Sequence, residues 1–567
     1  MEELMSTEEA KKLLEKYQAL KAFRAPWETL WKDIADYVAP RRSPGINSTV
    51  SSPGTDAESR LFDITAGQAC MTLANGCLAW MSPQETPWFS FTPDDSIEDI
   101  ESAKWLNRCT TTTREALGRS NFYTAIHEFY LDRSAFGTGC LYFEPGRKKK
   151  INAQCWPIGS YVIDENDEGD VDTVIRELIL TPRTAAQKFG RENLSGPMQK
   201  RLDDGGAKAM EQTTFLHFIY PREERNKESI APGEMPIACV YMEKDTSHVV
   251  RVSGYEEMPV MVSRYLEWGS NMGTRYGWSP SFAALPEARQ VNFLQKMMDA
   301  LAEKMAFPPV LAPDELEGEI DPNAAGVTYF SSEVAQRLPK EWMTAGRYDI
   351  GKDRVLERQN AIKAAFHTDL FQMFAQLDKQ MTAREVAERS SEKLIQFSPT
   401  FARLTTELFN PLLERIFGMG LRGGWYPDPP ENMVQDLGNG SGFIASPQVL
   451  YSSRIALALR SLPVLALHRM IELTGGMAEL QVTGAPVCDN FNFDEAWQMA
   501  ALNEALPPKV ARSVTEVEKI REERAAAQQE AAEQAQAMML AEGAAKLGGV
   551  PNDSPVGQVI GQQLQAA

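Results

Sequence analysis

The segment 276–313, YGWSPSFAALPEARQVNFLQKMMDALAEKMAFPPVLAP, constrains this chain most, because it predicts one long helix with a defined start and a forced stop. Pro286 suits a first helical turn, where no backbone N–H is needed, and Glu287 complements the positive helix end. Phe293, Leu294, Met297, Met298, Leu301 and Met305 then recur at helical spacing. Phe307-Pro308-Pro309 ends the run, since proline cannot continue the hydrogen-bond ladder and restricts the residue before it. About 20 residues at ~1.5 Å each make a rod of roughly 30 Å. No residue type suited to catalysis stands out along it, so the rod points to architecture.

A second long helix is expected over 353–377, with Val355, Ile362, Phe366, Leu370, Phe374 and Leu377 as its apolar stripe. Between the rods, 306–350 is proline- and glycine-rich and reads as irregular with short strands. A third helix over 383–417 contains Pro399 and Pro411, which predict a kink. Ahead of the first rod, 7–38 reads as one amphipathic helix or two in tandem around Pro26, and 59–81 as an apolar helix. Helices are expected over 98–117 and 121–136, and a β-rich module over 140–268. Its strands fall at CLYFEP, 156–163, 171–180, 215–220, 237–243, 248–252 and 260–265. The tract 421–445 reads as loop, 447–474 and 494–546 as helix, and 547–567 as a disordered tail.

The chain has 567 residues, 43% of them hydrophobic, so a sizeable core is available. Its net charge of −20 argues against a free-standing nucleic-acid binder, whose affinity comes from neutralising phosphates. An acidic wall would instead let DNA slide past without sticking. The seven cysteines are scattered, with no Cys-x-x-Cys pair, and read as reduced thiols. The acidic N-terminus does not resemble a signal peptide, and no apolar run reaches the ~18 residues of a membrane span.

Catalytic and metal signals fall away one by one. Gly351-Lys352 is followed by Asp353, so no phosphate-cradling loop exists around the one Gly-Lys pair. Ser279 lacks the second glycine of a nucleophile elbow. His127-Glu128 has no second histidine at zinc spacing. The turn 164–170, DENDEGD, follows a calcium loop for six positions, but Ile175 stands where a bidentate glutamate is required. The acidic stretch 94–101 reads as a solvated helix start, the basic run Arg147-Lys148-Lys149-Lys150 as a solvated loop, and Trp27, Trp31 and Tyr37 as a packing face. No cofactor and no enzymatic activity are expected.

An ordered set of short motifs remains: Trp31-x-x-Ile34-Ala35-x-Tyr37-x-x-Pro40, Arg60-Leu61-Phe62-Asp63, Trp88-Phe89-x-Phe91, Phe136-Gly137-Thr138-Gly139, Tyr276-Gly277-Trp278-Ser279-Pro280 with Leu285-Pro286, and Met381-Thr382-Ala383-Arg384-Glu385-Val386. In order and spacing the chain resembles the head-to-tail connector, or portal, proteins of short-tailed bacteriophages over most of residues 10–500. Arg384 is a departure, standing where many relatives would carry a small or Thr-like residue.

The resemblance implies an α+β, mainly helical, elongated subunit with wing, stem, clip and crown regions that assembles into a ring, usually of twelve. By order, 1–275 would be wing, 276–305 the first stem helix, 306–350 clip, 351–377 the second stem helix and 378–384 a channel loop. The span 385–493 would hold the kinked helix and the rest of the wing, and 494–546 the crown. Stem packing would fall to Phe293, Met297, Met298, Leu301, Phe366 and Leu370, with Pro308 and Pro309 marking the stem–clip boundary. Lys379 and Arg384 would be positive points on the channel wall. The partners implied are further copies of the chain, double-stranded DNA held transiently, the terminase large subunit, tail or adaptor proteins, and capsid and scaffolding proteins. The setting would be the portal vertex of a virion assembled in the host cytoplasm. A tail or ejection protein is the alternative, separable by copy number per particle. A nuclease or packaging ATPase is a third class, disfavoured by the missing phosphate loop.

Overall fold

The computed structural model describes residues 5–46, 61–93, 100–146, 149–226, 231–268, 275–306, 310–311, 340–341, 348–372, 398–430, 433–436, 442–444, 447–453, 456 and 514–547. The chain divides into two compact units, 1–462 and 463–567.

The first unit mixes helix and sheet. Helix α1 (Thr7–Tyr37) starts at a capping box: Ser6 Oγ accepts from the Glu9 N–H, and Glu9 Oε2 accepts from the Ser6 N–H at 3.1 Å. It runs unbroken through Pro26 and serves two cores. Its first half, through Ala10, Tyr17 and Leu20, packs on one face of a five-stranded antiparallel sheet. Its second half, through Trp31, Ile34 and Ala35, enters the main core.

The five-stranded sheet is ordered β4 (Tyr161–Glu165), β5 (Val171–Leu180), β6 (Thr213–Pro221), β7 (Ile237–Glu243), β8 (Val249–Tyr255). Period-two alternation sends Leu216, Phe218, Val240 and Met242 toward α1. Phe215, Cys239 and Tyr241 face α5 (Pro182–Phe189) and α6 (Gly196–Asp204) on the other side. A second, three-stranded sheet has β2 (Thr138–Pro145) between β3 (Ile151–Cys155) and β9 (Val260–Arg264). It backs onto α4 (Phe122–Phe136) and the main core, which also takes in α2 (Thr65–Met81) and α3 (Ile100–Gly118).

Glu177 on β5 ties α1 to the sheet. It accepts from Tyr17 Oη, from Lys21 Nζ at 3.0 Å and from Lys244 Nζ at 3.2 Å. Burial pushes its pKa up, but these donors outweigh burial and hold it down at about 2. A depressed carboxylate pKa adds stability that is complete above the unfolded value and is lost as pH falls through the folded one. Glu177→Gln is therefore expected to flatten the loss of stability between about pH 4.5 and 2 in urea titrations. An unchanged pH profile would remove Glu177 as its source.

The first rod is α7 (Pro280–Ala306), and it starts six residues earlier than Pro286 suggests. Pro280 takes the opening position. Pro286 lies inside the helix, where it leaves the Phe282 carbonyl without its ladder partner. Pro280, Ser281, Ala284, Leu285 and Ala288 are buried, so packing keeps the helix continuous through the proline. The second rod is α8 (Tyr348–Ala365), followed after Phe366-His367 by α9 (Thr368–Gln372). Between the rods, β10 (Val310–Leu311) pairs antiparallel with β11 (Lys340–Glu341).

The third helix is α10 (Ser398–Leu404), a π-turn over Thr405–Phe409, and α11 (Asn410–Arg422). The π-turn adds a residue just before Pro411, which gives the missing N–H a place to fall without breaking the rod.

Further expectations need correcting. The strand expected over 156–163 is β4, Tyr161–Glu165, and β3, Ile151–Cys155, precedes it. Residues expected to begin a helix at 447 form β14 (Gln448–Tyr451), paired with β1 (Phe89–Thr92) through Phe89↔Tyr451 and Phe91↔Val449. A short apolar run fits either state, and the waiting edge of β1 decides it. The tract 421–445 is not all loop: β12 (Val434–Asp436) pairs with β13 (Gly442–Ile444). In the second unit, α12 (Val514–Leu547) is the described element, and side chains 521–532 on it are exposed.

Candidate functional site: an anchored helical hairpin

Helices α7 and α8 pack against each other as a hairpin. Glu287 accepts from Arg358 at 2.5 Å near the base, while Met298 lies on Gly351 nearer the tip, so the helices run antiparallel. A Cβ at Gly351 would collide with Met298 Sδ, so glycine is what lets the rods close. Val355 and Ile362 of α8 and Val291 and Met298 of α7 are buried.

The apolar residues of α7 divide by angle. Met298 is 8% exposed and packs inside the protomer, whereas Phe293 is 56% and Met297 46% exposed. Phe293 and Met297, four apart, form a stripe turned away from α8. Leu301 is half-buried and Met305 exposed. Phe366 and Leu370, after α8, are buried against the main core. Next to them Phe371 meets Trp80 edge-on at 5.9 Å and presses on Gly76 of α2, where a Cβ would come within 2.5 Å of its ring.

The base of the hairpin is where four of the sequence motifs meet. Gly137, at φ 81°, caps α4, and its backbone touches that of Gly277. The Gly277 N–H donates to Thr138 Oγ1 at 2.9 Å, and Ser279 Oγ donates to the Ala135 carbonyl at 2.8 Å. Leu266 and Trp278 exchange backbone hydrogen bonds at 3.1 and 2.7 Å. Tyr276 stands edge-on to Trp31 with ring centroids 4.9 Å apart, and Trp27 meets Trp268 at 4.9 Å. The segment 61–64 then straddles both rods. Asn292 of α7 accepts from the Phe62 N–H at 2.7 Å, and Asp63 accepts from Gln359 of α8 at 2.6 Å. Phe62, Ile64 and Met71 remain exposed beside a groove of about 520 Å³ that Tyr37, Leu61, Ile64 and Met71 help line.

Behind the anchor lies an ion cluster that the sequence did not single out. Arg264, 5% exposed, pairs with Glu165 and donates to the Gly169 carbonyl at 2.9 Å. It also donates to Glu407 from Nε at 3.0 Å and Nη2 at 2.8 Å. Arg403 joins Glu407 at 3.1 Å and Glu267 at 2.9 Å. The turn 166–169, once a candidate calcium loop, thus presents a carbonyl to an arginine, and Asn166 Oδ1 takes the N–H groups of Glu168 and Asp170. His127 meets Asn75 at 2.7 Å. Among the described residues no His, Cys, Asp or Glu group is arranged to hold a metal ion, and no helix is long and apolar enough to cross a membrane. The six described cysteines are free, and burial pushes the Cys70 and Cys77 thiols up to about 12. Lys379, Arg384, Pro308, Pro309 and the Met381–Val386 motif lie outside the described residues.

The arrangement is a pair of packed rods on a broad base. Comparison with known proteins identifies a family. The family model described as bacteriophage head to tail connecting protein matches residues 10–511. The portal protein of Salmonella phage epsilon15 is 27% identical over 560 residues, covering 97% of both chains. The probable portal protein of Bordetella phage BPP-1 is 29% identical over 558 residues, covering 96% of both. A solved structure, the neck of an empty gene transfer agent particle, aligns with 76% of this chain and 90% of its own at 10% identity, with a TM-score of 0.35, too low to bear on the fold. On the family match along most of its length, the chain belongs to the bacteriophage head-to-tail connecting, or portal, proteins.

Proposed function

We propose that copies of this chain close into a ring, of twelve in the simplest case, at one capsid vertex, and that double-stranded DNA passes through it during packaging and ejection. The hairpin is the stave of the channel wall. The insert between its rods, 306–350, docks the terminase large subunit first and tail or adaptor proteins afterwards. Capsid and scaffolding proteins contact the broad base. The ring assembles in the host cytoplasm and ends in the virion. It has no catalytic activity of its own. Lys379 and Arg384 enter this proposal on their charge alone, as transient phosphate contacts.

The exposed stripe Phe293–Met297 is the observation that carries the reading. It sits on a rod whose other face is already packed, so its natural cover is a neighbouring copy. A ring needs heterologous contacts that close, and a rigid stave supplies one side of each. Met297→Asp should therefore leave monomer stability within about 0.5 kcal/mol, because an exposed side chain is being changed. Negative-stain images of wild-type protein should display rings, and Met297→Asp should abolish them. Wild-type protein that stays monomeric under all conditions, or normal rings from Met297→Asp, would defeat the assignment. A copy number per particle far from twelve would favour a tail or ejection component instead.

A further inference from the structure

On another side of the first unit, a cleft of about 460 Å³ opens between the β2–β3 turn, the end of β8 and the C-terminal part of α11. Its walls are apolar: Met235, Tyr255, Met419 and Trp425. Its charged residues lean positive. Lys150 Nζ sits 5.1 Å from the centre of the Trp425 ring. Arg415 is 2% exposed, stacks 5.1 Å from the Tyr255 ring centre, and donates to the Phe143 carbonyl at 2.9 Å and the Glu257 carbonyl at 2.7 Å. Arg422 takes both carboxylate oxygens of Glu257 at 2.6 Å. Glu257 is thereby occupied by Arg422, and Glu256 is the acidic residue lining the cleft itself. Lys149 stands beside Lys150, and the rim belongs to the one run of four consecutive basic residues in a chain of net charge −20.

A positive, aromatic-walled cleft on an acidic protein is complementary to one kind of occupant. We propose that it docks an acidic peptide segment of a partner protein, with one large apolar side chain against Met419 and Trp425 and carboxylates facing Lys149 and Lys150. The surrounding negative field repels acidic chains elsewhere and leaves this spot as the place where one is drawn in. Cation and ring together favour a mixed acidic–apolar ligand over a bare anion. A DNA duplex is too wide to reach the Trp425 wall of a cleft this size.

The test uses the full-length protein and a fluorescein-labelled decapeptide of glutamates with one central leucine and one phenylalanine, read by anisotropy. Saturable binding is expected, weakening as salt rises and falling at least tenfold in Lys150→Glu and in Trp425→Ala. Lys150 is exposed, so its variant keeps the fold and serves as the decisive one. A neutral counterpart with glutamine in place of every glutamate should bind at least tenfold more weakly. Equal binding of the glutamate and glutamine peptides, or equal affinity in wild type and Lys150→Glu, would overturn the proposal. Displacement of the peptide by a 20-base-pair duplex at equal charge concentration would assign the cleft to nucleic acid and overturn it equally.

Discussion

Gly137→Ala is expected to destabilise the protein by about 2–4 kcal/mol. Two costs add. At φ 81° an L side chain is strained by about 1 kcal/mol. The new Cβ would also fall inside contact distance of the Gly277 carbonyl oxygen and only 2.6 Å from the carbonyl carbon. That neighbour is backbone, held by Thr138 on one side and by the Leu266–Trp278 pair on the other, so it cannot swing away as a side chain would. Forcing extra volume into such a place costs about 1–3 kcal/mol. Gly169→Ala is the internal control, because Gly169 has φ 87° with nothing within 4 Å of its ideal Cβ. It should lose only the conformational part, about 1 kcal/mol. Urea denaturation of both variants measures the difference. Equal losses would mean that the Gly137–Gly277 contact does not fix the base of α7. Because α7 starts three residues after Gly277, the same variant should lower the yield of rings if the proposed assembly holds.

Much of the hairpin was legible in sequence because its signals are local. Proline punctuation and 3.6-residue spacing mark a rod whichever partner it later finds. Pro286 misled because it carries a start signal. The true start at Pro280 depends on Ser279 reaching the Ala135 carbonyl, a contact 144 residues distant in the chain. The second rod was read through to 377, yet it breaks at His367, whose φ of 52° is left-handed. Nothing near His367 announces this. The break lets Phe366 and Leu370 bury and brings Phe371 onto Gly76, so α2 dictates it from outside the segment. β3 was missed because the basic run before it looked like open loop, and its apolar positions, Ile151 and Ala153, are too few to show a period. The motifs themselves were legible as an ordered series. Their meeting at one anchor was not, since order along a chain carries no distance.

Glu407→Ala should cost about 3 kcal/mol, the second large effect expected. Glu407 accepts from the Arg264 N–H at 2.7 Å and from its guanidinium at 2.8 and 3.0 Å, and it also holds Arg403. Removing one partner of a buried pair strands a charge in low dielectric, which costs about 3–5 kcal/mol. Arg264 would keep Glu165 and the Gly169 carbonyl, so the lower end applies. The position also matters mechanically. Glu407 lies in the π-turn between α10 and α11, and Arg264 ends β9 just before the chain heads for α7. Through this pair the helix that carries the π-turn is fastened to the base of the hairpin. Limited proteolysis should therefore find new cleavage around 398–410 in Glu407→Ala, alongside the lower urea midpoint. Glu267→Ala supplies the contrast. Glu267 meets Arg403 from a half-exposed position, where a surface pair is worth at most about 1 kcal/mol. If the two glutamate variants lose equal stability, Arg264 does not depend on Glu407, and the fastening of helix to hairpin must be sought in the apolar contacts of Phe401, Leu404 and Leu408 instead.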